Sequence, residues 1–264
     1  MRHLSHDISH ILDNWDYDPA KSYRKIMGDN GREKVQIRVD NAAFQGVLQM
    51  ELDGRPDGRQ PYGYDFALDY YRQALQRYEQ THGNQPGFEL DEESCVELFD
   101  ESLRIYNRYV FLLQLQDYTR VVRDTKRNME LFRFVNAHAH RESDRNKLER
   151  WWPYIIRINA TAGALLVMEE GQDFDSALQV VNQAIERIES LEELDVEEFR
   201  SERERSLKAL AEMQESIHEH KPLSAAEKLQ VRLDEAVQDE RFEDAARLRD
   251  VLKDFQQGEP DSQL

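Results

Sequence analysis

The stretch ELDGRPDGRQPYGY places five charged side chains among turn residues: Glu51, Asp53, Arg55, Asp57 and Arg59. Its three carboxylates are oxygen ligands of the kind that divalent cations prefer, and its two arginines are suited to holding an anion. The same composition is typical of a surface loop whose carboxylates and arginines pair with each other around glycine turns. Two interpretations follow. One is a metal-dependent enzyme or ligand-binding protein that uses this loop, and the other is a purely structural loop.

A second candidate site lies near the carboxyl end, in the stretch ERFEDAARLRDVLKDF. Apolar residues recur there at helical spacing from Phe242 to Leu252, after an earlier apolar stripe from Leu229 to Val237. The charged residues QDER between the stripes indicate a turn, so the pattern predicts a short amphipathic helical hairpin over residues 222–258. Alanine side chains allow the two helix axes to approach closely, and we expect Phe242 to anchor the turn.

The elements that precede these stretches begin with a β-containing segment over residues 1–61. Residues 23–39 hold two alternating runs on either side of an Asn-Gly turn signal, which predicts a β-hairpin. The following stretch, FQGVLQMEL, indicates a third strand, and a short helix over residues 41–50 is the alternative.

Residues 62–221 have helical texture, with apolar residues at spacings of three and four. Two junctions, LQDYTRVV and GQDFDSAL, each place an aspartate and an aromatic residue at a helix start. The second junction resembles the inner turn of a tetratricopeptide repeat. That resemblance covers roughly residues 154–188 and rests on Asp173, Phe174, Ala177, Leu178 and Ala184. We therefore expect an array of antiparallel helical hairpins, a design that presents binding surfaces rather than catalytic pockets.

The most apolar stretch of the chain, WWPYIIRINATAGALL, begins at Trp151. Core packing explains this composition, and an aromatic ligand groove is the alternative interpretation.

Composition narrows the classes of function. Asp and Glu number 53 against 35 Lys and Arg, a formal charge of -18, which repels phosphate backbones and predicts no direct nucleic-acid binding. No apolar run approaches the roughly 20 residues of a membrane span, so we expect no membrane association. The single cysteine, Cys95, is expected to be buried and fits a reducing, cytoplasmic compartment. Neither a phosphate-loop motif nor paired zinc-type cysteines occur in the sequence. We therefore expect no catalytic residue, cofactor or metal.

The carboxyl-terminal stretch resembles the UVR domain, the helical hairpin of the excision-repair proteins UvrB and UvrC. The FE-x-AA-x-LRD core carries this resemblance and supplies the candidate partner-binding residues Phe242, Glu243, Ala245, Ala246, Leu248, Arg249 and Asp250. In addition, LQMELDGRPDG resembles a stretch of an uncharacterised bacterial family of UVR-motif proteins. The resemblance implies docking to a protein partner that is UVR-bearing or Uvr-type, or self-association through the hairpin. It also implies a link to nucleotide excision repair or to Clp-type proteolysis.

Taken together, the patterns predict a mainly α protein with a small amino-terminal β-hairpin element. The expected divisions are residues 1–61, the helical-hairpin array 62–221, the UVR-like hairpin 222–258 and a tail, 259–264. The expected function is that of a non-enzymatic adaptor, with the metal-dependent enzyme or ligand-binding protein of the 51–59 loop as the alternative.

Overall fold

The computed structural model describes residues 7–41, 43–83, 87–223 and 225–258, the last without the side chains of 254–258. The predicted tail lies outside these residues. Within the chain there are two compact units, one ending at Glu215 and the other beginning at Ser216.

The first unit opens with a short helix, α1 (Ser9–Leu12), and an antiparallel sheet of three strands in the order β1-β2-β3. The strands are β1 (Tyr23–Met27), β2 (Glu33–Asn41) and β3 (Phe44–Glu51). On the central strand, Ile37 pairs with Tyr23 on one side and with Leu48 on the other. The third strand is therefore confirmed, and the alternative of a helix over residues 41–50 is wrong.

Helices form the rest of the first unit. They are α2 (Ala67–His82), α3 (Glu92–Gln114), α4 (Tyr118–His138), α5 (Glu142–Arg145), α6 (Trp152–Gly171), α7 (Phe174–Glu189) and α8 (Glu197–His220). The connections after α3 and α6 are only a few residues long, which forces the neighbouring helices to run antiparallel. Helix α4 packs between α3 and α6, and α7 packs on α6. The array of antiparallel hairpins is confirmed, while its likeness to tetratricopeptide repeats stays a prediction.

The sheet and the helices share one core. Val35 of β2 and Leu52, just after β3, are fully buried with Ile105 and Leu112 of α3. This contact places the segment that follows β3 directly against the helices. Cys95 is buried as predicted, and burial raises the pKa of its thiol to about 11.

The second unit contains the carboxyl-terminal hairpin of α9 (Ala225–Gln238) and α10 (Phe242–Gly258), which pack on each other. Ala236 of α9 and Ala245 and Leu252 of α10 are buried, so the predicted helical hairpin is confirmed. The second unit begins within α8, and the division near residue 221 stays a prediction. Among the helices of the described residues, none has the length and apolar character needed to cross a membrane.

Candidate partner-binding site

Three helix-to-helix turns of the chain share one backbone pattern. Each contains a non-glycine residue in the left-handed region, namely Gln116, Gln172 and Glu240, with φ of 57°, 51° and 58°. Two positions later, each turn begins the next helix with an aromatic residue: Tyr118, Phe174 or Phe242. The turn of the carboxyl-terminal hairpin is therefore built like the turns of the array.

Hydrogen bonds at the helix ends support the same likeness. The amide of Asp117 donates to the Leu112 carbonyl at 2.9 Å, and the amide of Arg241 donates to the Ala236 carbonyl at 2.8 Å. Both are the long bonds that close a Schellman cap. The two turns differ at the amino-terminal cap of the helix that follows. Asp117 caps α4 by accepting a hydrogen bond from the Arg120 amide, whereas Arg241, at the same position before α10, has no acceptor atom in its side chain.

A larger difference is the burial of the aromatic side chain. Tyr118 and Phe174 are half-buried in the array, but the side chain of Phe242 is 68% exposed. The expectation that Phe242 anchors its turn is wrong. The stripe of α10 that contacts α9 runs through Ala245 and Leu252, and Phe242 lies to one side of it.

The exposed face of α10 continues from this phenylalanine. Ala246 and Arg249 follow Phe242 at spacings of four and seven, so the three side chains lie on one side of the helix, and all are exposed. The Arg249 guanidinium donates to Asp250 Oδ1 at 2.9 Å, with both side chains more than 60% exposed. A pair so open to water costs little to break, so both groups are free to contact a partner.

The other predicted residues of this site divide by burial. Glu243 is exposed, whereas Ala245 is buried and Leu248 is half-buried inside the hairpin. These last two side chains hold the helices together, and they face α9 rather than solvent.

Comparison with known proteins adds one match. Residues 225–258 match the family model described as the UvrB/uvrC motif. The hairpin is a UVR motif. Such a motif is a protein–protein interaction module known from nucleotide excision repair proteins. No curated protein and no solved structure matches the chain.

The 51–59 loop, the other candidate site, differs from the UVR hairpin in that its carboxylates face cations of the same chain. Asp53 accepts hydrogen bonds from the guanidinium groups of Arg120, at 3.1 Å, and Arg123. The hydrogen bond from Arg120 is the main cause that lowers the pKa of the Asp53 carboxyl below its usual range. Glu51 pairs with Lys34 on the neighbouring strand.

The centre of the loop is paired in the same way. Arg55 lies 3.0 Å from Asp57 and 3.6 Å from the buried carboxylate of Glu101, and Asp57 also faces Arg104. Glu101 accepts hydrogen bonds from the first two amides of α2, of which the Ala67 amide is at 2.7 Å. Burial is the main cause that raises the pKa of Glu101. Arg59 is exposed.

A buried arginine holds the backbone of the loop. Arg108 of α3 is fully buried and donates two hydrogen bonds to Asp124 of α4, at 2.6 and 2.8 Å. Its remaining nitrogen donates to the carbonyls of Glu51 and Gly54. Arg123 donates to the Leu52 carbonyl as well. The loop is thus fastened to α3 and α4.

These contacts bear on the metal hypothesis. Within the described ranges, no three His, Cys, Asp or Glu side chains are grouped so that they could hold a metal ion. The carboxylates of the 51–59 loop have arginine or lysine neighbours where a cation would bind, so the geometry favours a structural role for the loop.

Sequence reasoning missed the helix residues that fasten this loop. Arg108 and Asp124 lie at positions whose spacing gave no signal of burial, because charged residues on a helix ordinarily face water. The apolar stretch that begins at Trp151 was interpreted either as core or as an aromatic groove, and its two tryptophans differ in burial. Trp152 is buried in the core, while Trp151 is 41% exposed and lines an aromatic cavity.

Proposed function

We propose that this protein is a non-enzymatic interaction protein that docks a protein partner through the exposed face of its UVR hairpin. That face consists of Phe242, Ala246 and Arg249. The observation that carries the proposal is the exposure of Phe242 at a turn position where the equivalent aromatic residues are half-buried. Aromatic and arginine side chains dominate the energy of many protein interfaces, so this face has the residue types of a binding site.

The size of the hairpin indicates the kind of partner. Two short helices bury few side chains between them, and the buried apolar residues of the described part of the UVR hairpin are Ala236, Ala245 and Leu252. Helical hairpins of this size gain stability by burying their open side against another element. The partner that fits best is a second UVR hairpin, on a UVR-bearing or Uvr-type protein.

The proposal extends to the cellular process in which the protein acts. The match to the UVR motif supports a role linked to nucleotide excision repair, with Clp-type proteolysis as the other setting that the resemblance implies. The net charge of -18 supports contact with DNA through the partner rather than through this chain.

Affinity capture from a native lysate tests the proposal. Full-length protein is compared with Phe242→Ala/Arg249→Glu and with Val251→Ala. Val251 is also an exposed apolar residue of α10, and its position nine residues after Phe242 places it on roughly the opposite side of the helix. It therefore controls for a general loss of apolar surface.

We expect the double variant to lose a protein that carries a UVR motif, and Val251→Ala to retain it. Deletion of residues 222–264 should give the same loss. If the double variant and the deletion of residues 222–264 both capture the same proteins as the unaltered chain, docking through the UVR hairpin is contradicted.

A further inference from the structure

The outer edge of β3 has no neighbouring strand in the described part of the chain, because β3 pairs only with β2. The Leu52 amide donates to the Glu33 carbonyl, which shows that the even-numbered residues of β3 are the ones bonded to β2. Gln45, Val47 and Gln49 therefore direct their backbone N–H and C=O groups away from the sheet. A row of such groups is a template for pairing with another strand.

The sequence of β3 lacks the devices that usually protect an edge strand, which are charges, prolines and bulges. The run FQGVLQM over residues 44–50 has no charged residue and no proline, although 33% of the chain is charged. Its register with β2 is continuous. The opposite edge strand, β1, contains Arg24 and Lys25, and Lys25 donates to Asp117 at 2.6 Å. Of the two edges of the sheet, the β3 edge is the one suited to pairing.

The apolar face of the sheet is only partly covered along β3. Val35 and Ile37 of β2 are buried, and residues opposite them on β3 share their face. Leu48, opposite Ile37, is nevertheless 59% exposed, and Phe44 on the same face is 78% exposed. A strand added at the outer edge would therefore cover apolar surface as well as supply backbone hydrogen bonds.

The strand is complementary to itself when a second copy runs antiparallel with the two Val47 residues opposite each other. Leu48 then lies opposite Gly46 of the other copy, and Phe44 lies opposite Met50, so large side chains meet smaller or flexible ones. Gly46 does not have a positive φ, and a Cβ added there would meet no described atom within 4 Å. The fold of one chain does not require this glycine, and a glycine within a strand often marks the close approach of another chain segment.

The two glutamines of β3 supply matching amide groups. Gln45 Nε2 donates to Asp40 at 3.2 Å, and Gln49 Oε1 accepts from Gln36 Nε2 at 3.0 Å. Among the described residues, these bonds leave Gln45 Oε1 as an acceptor and Gln49 Nε2 as a donor. In the antiparallel arrangement centred on Val47, Gln45 lies opposite Gln49 of the other copy. The remaining acceptor thus faces the remaining donor twice, once on each side of the two-fold axis.

We propose that β3 pairs with β3 of a second copy of the chain, antiparallel and centred on Val47, which joins two three-stranded sheets into one. The Val47 pair and the two Gln45–Gln49 pairs would each exchange two backbone hydrogen bonds. The ladder ends at these pairs because the Glu51 amide already donates to the Pro56 carbonyl at 2.9 Å. A second copy is the occupant because every complementary feature lies on β3 itself. This surface is separate from the UVR hairpin.

Sedimentation velocity of the full-length protein measures the dimer. We expect a species of twice the 31.3 kDa chain mass. Val47→Lys places two like charges opposite each other at the centre of the ladder and should weaken the dimer by at least about tenfold. Val47 is half-buried, and a lysine there can extend its ammonium group to water, so the variant should fold. Val96→Lys makes the same change at an exposed site on α3 and should leave the dimer unchanged.

Cysteine crosslinking tests the register without adding charge to the strand. Val47→Cys should form a disulfide between chains on mild oxidation, because opposite residues of a hydrogen-bonded pair have Cα atoms about 5.5 Å apart. Gln49→Cys is the matched control and should not crosslink, since its two copies would lie about 14 Å apart along the ladder. The native Cys95 is buried and should not contribute.

Some results would overturn the proposal. A monomer at every concentration would do so, as would a dimer that Val47→Lys leaves intact. Equal crosslinking at positions 47 and 49 would contradict pairing centred on Val47. The Phe242→Ala/Arg249→Glu variant should remain a dimer. If that variant becomes a monomer, the copies associate through the UVR hairpin and not through β3.

Discussion

The 51–59 loop and the UVR hairpin both have charged residues at conspicuous spacings, but the two regions differ in what those residues contact. The loop pairs its carboxylates with arginines and a lysine of the same chain, and α3 and α4 bind its backbone carbonyls. The UVR hairpin leaves Phe242 and Arg249 on one open face. A dense charge pattern is therefore not sufficient evidence of a binding site. The proposed docking face rests instead on an aromatic side chain that is exposed at a turn position where the equivalent residues are half-buried.

The largest expected effect concerns the 51–59 loop, whose backbone Arg108 holds against the helices. Arg108→Met should lower the free energy of unfolding of the first unit by about 3 kcal/mol. The buried Asp124 carboxylate would keep only Arg123 as its cationic partner, and the carbonyls of the loop would lose the donor that Arg108 supplies. Urea unfolding followed by tryptophan fluorescence measures this unit alone, since the three tryptophans, Trp15, Trp151 and Trp152, lie within it.

The double variant Arg108→Met/Asp124→Leu sharpens the test. It removes the buried carboxylate together with its main partner and should recover a large part of the loss. A cost of less than about 1 kcal/mol for Arg108→Met alone would mean that the pair does not hold the loop.

A second prediction compares equivalent turn aromatics. Phe174→Ala should cost about 1 kcal/mol, because its side chain is half-buried. Phe242→Ala should change the stability of the UVR hairpin by less than about 0.5 kcal/mol, since 68% of that side chain is already exposed. Urea unfolding measures the first change, and amide hydrogen exchange in α9 and α10 measures the second. Equal costs would remove the distinction between the two turns.

A third prediction concerns the left-handed residue of the UVR turn. Glu240 has φ of 58°, a conformation that glycine adopts without strain. Glu240→Gly should stabilise the hairpin by about 0.5–1 kcal/mol and slow exchange of the Ala245 amide roughly two- to fivefold. Glu240→Ala, which keeps the strain, serves as the matched control and should not slow exchange.

The smallest expected effect is the pH dependence at the loop. The pKa of Asp53 is lowered in the folded state, so its ion pairs stabilise the protein above the unfolded pKa of about 3.9. That stabilisation is lost as pH falls through the folded pKa. Asp53→Asn should cost about 0.5 kcal/mol at pH 7, and the cost should shrink as pH falls below the unfolded pKa and through the lowered folded pKa. A cost that does not change over this acidic range would exclude the ion pairs as its source.

Local patterns made much of the fold predictable. The alternation of β2, the Asp-aromatic helix starts at Asp117 and Asp173, and the stripes of the UVR hairpin each reflect the period of one element. The proposed docking face was also predictable in part, because the residues of the UVR motif are contiguous.

Contacts between distant elements were not predictable. Burial of Arg108 depends on α4 and on the loop after β3, which are brought together only in the folded unit. Exposure of Phe242 depends on which stripe of α10 turns toward α9.

Site-specific photo-crosslinking tests the central claim most directly. A benzophenone amino acid is introduced at position 242 or, as the control, at position 251 of the full-length protein, and the products are identified by mass spectrometry. Docking through the exposed face predicts a discrete product from position 242, formed with a protein that carries a UVR motif, and little or none from position 251. Equal products from both positions, or none from position 242, would contradict the proposed role of the UVR hairpin.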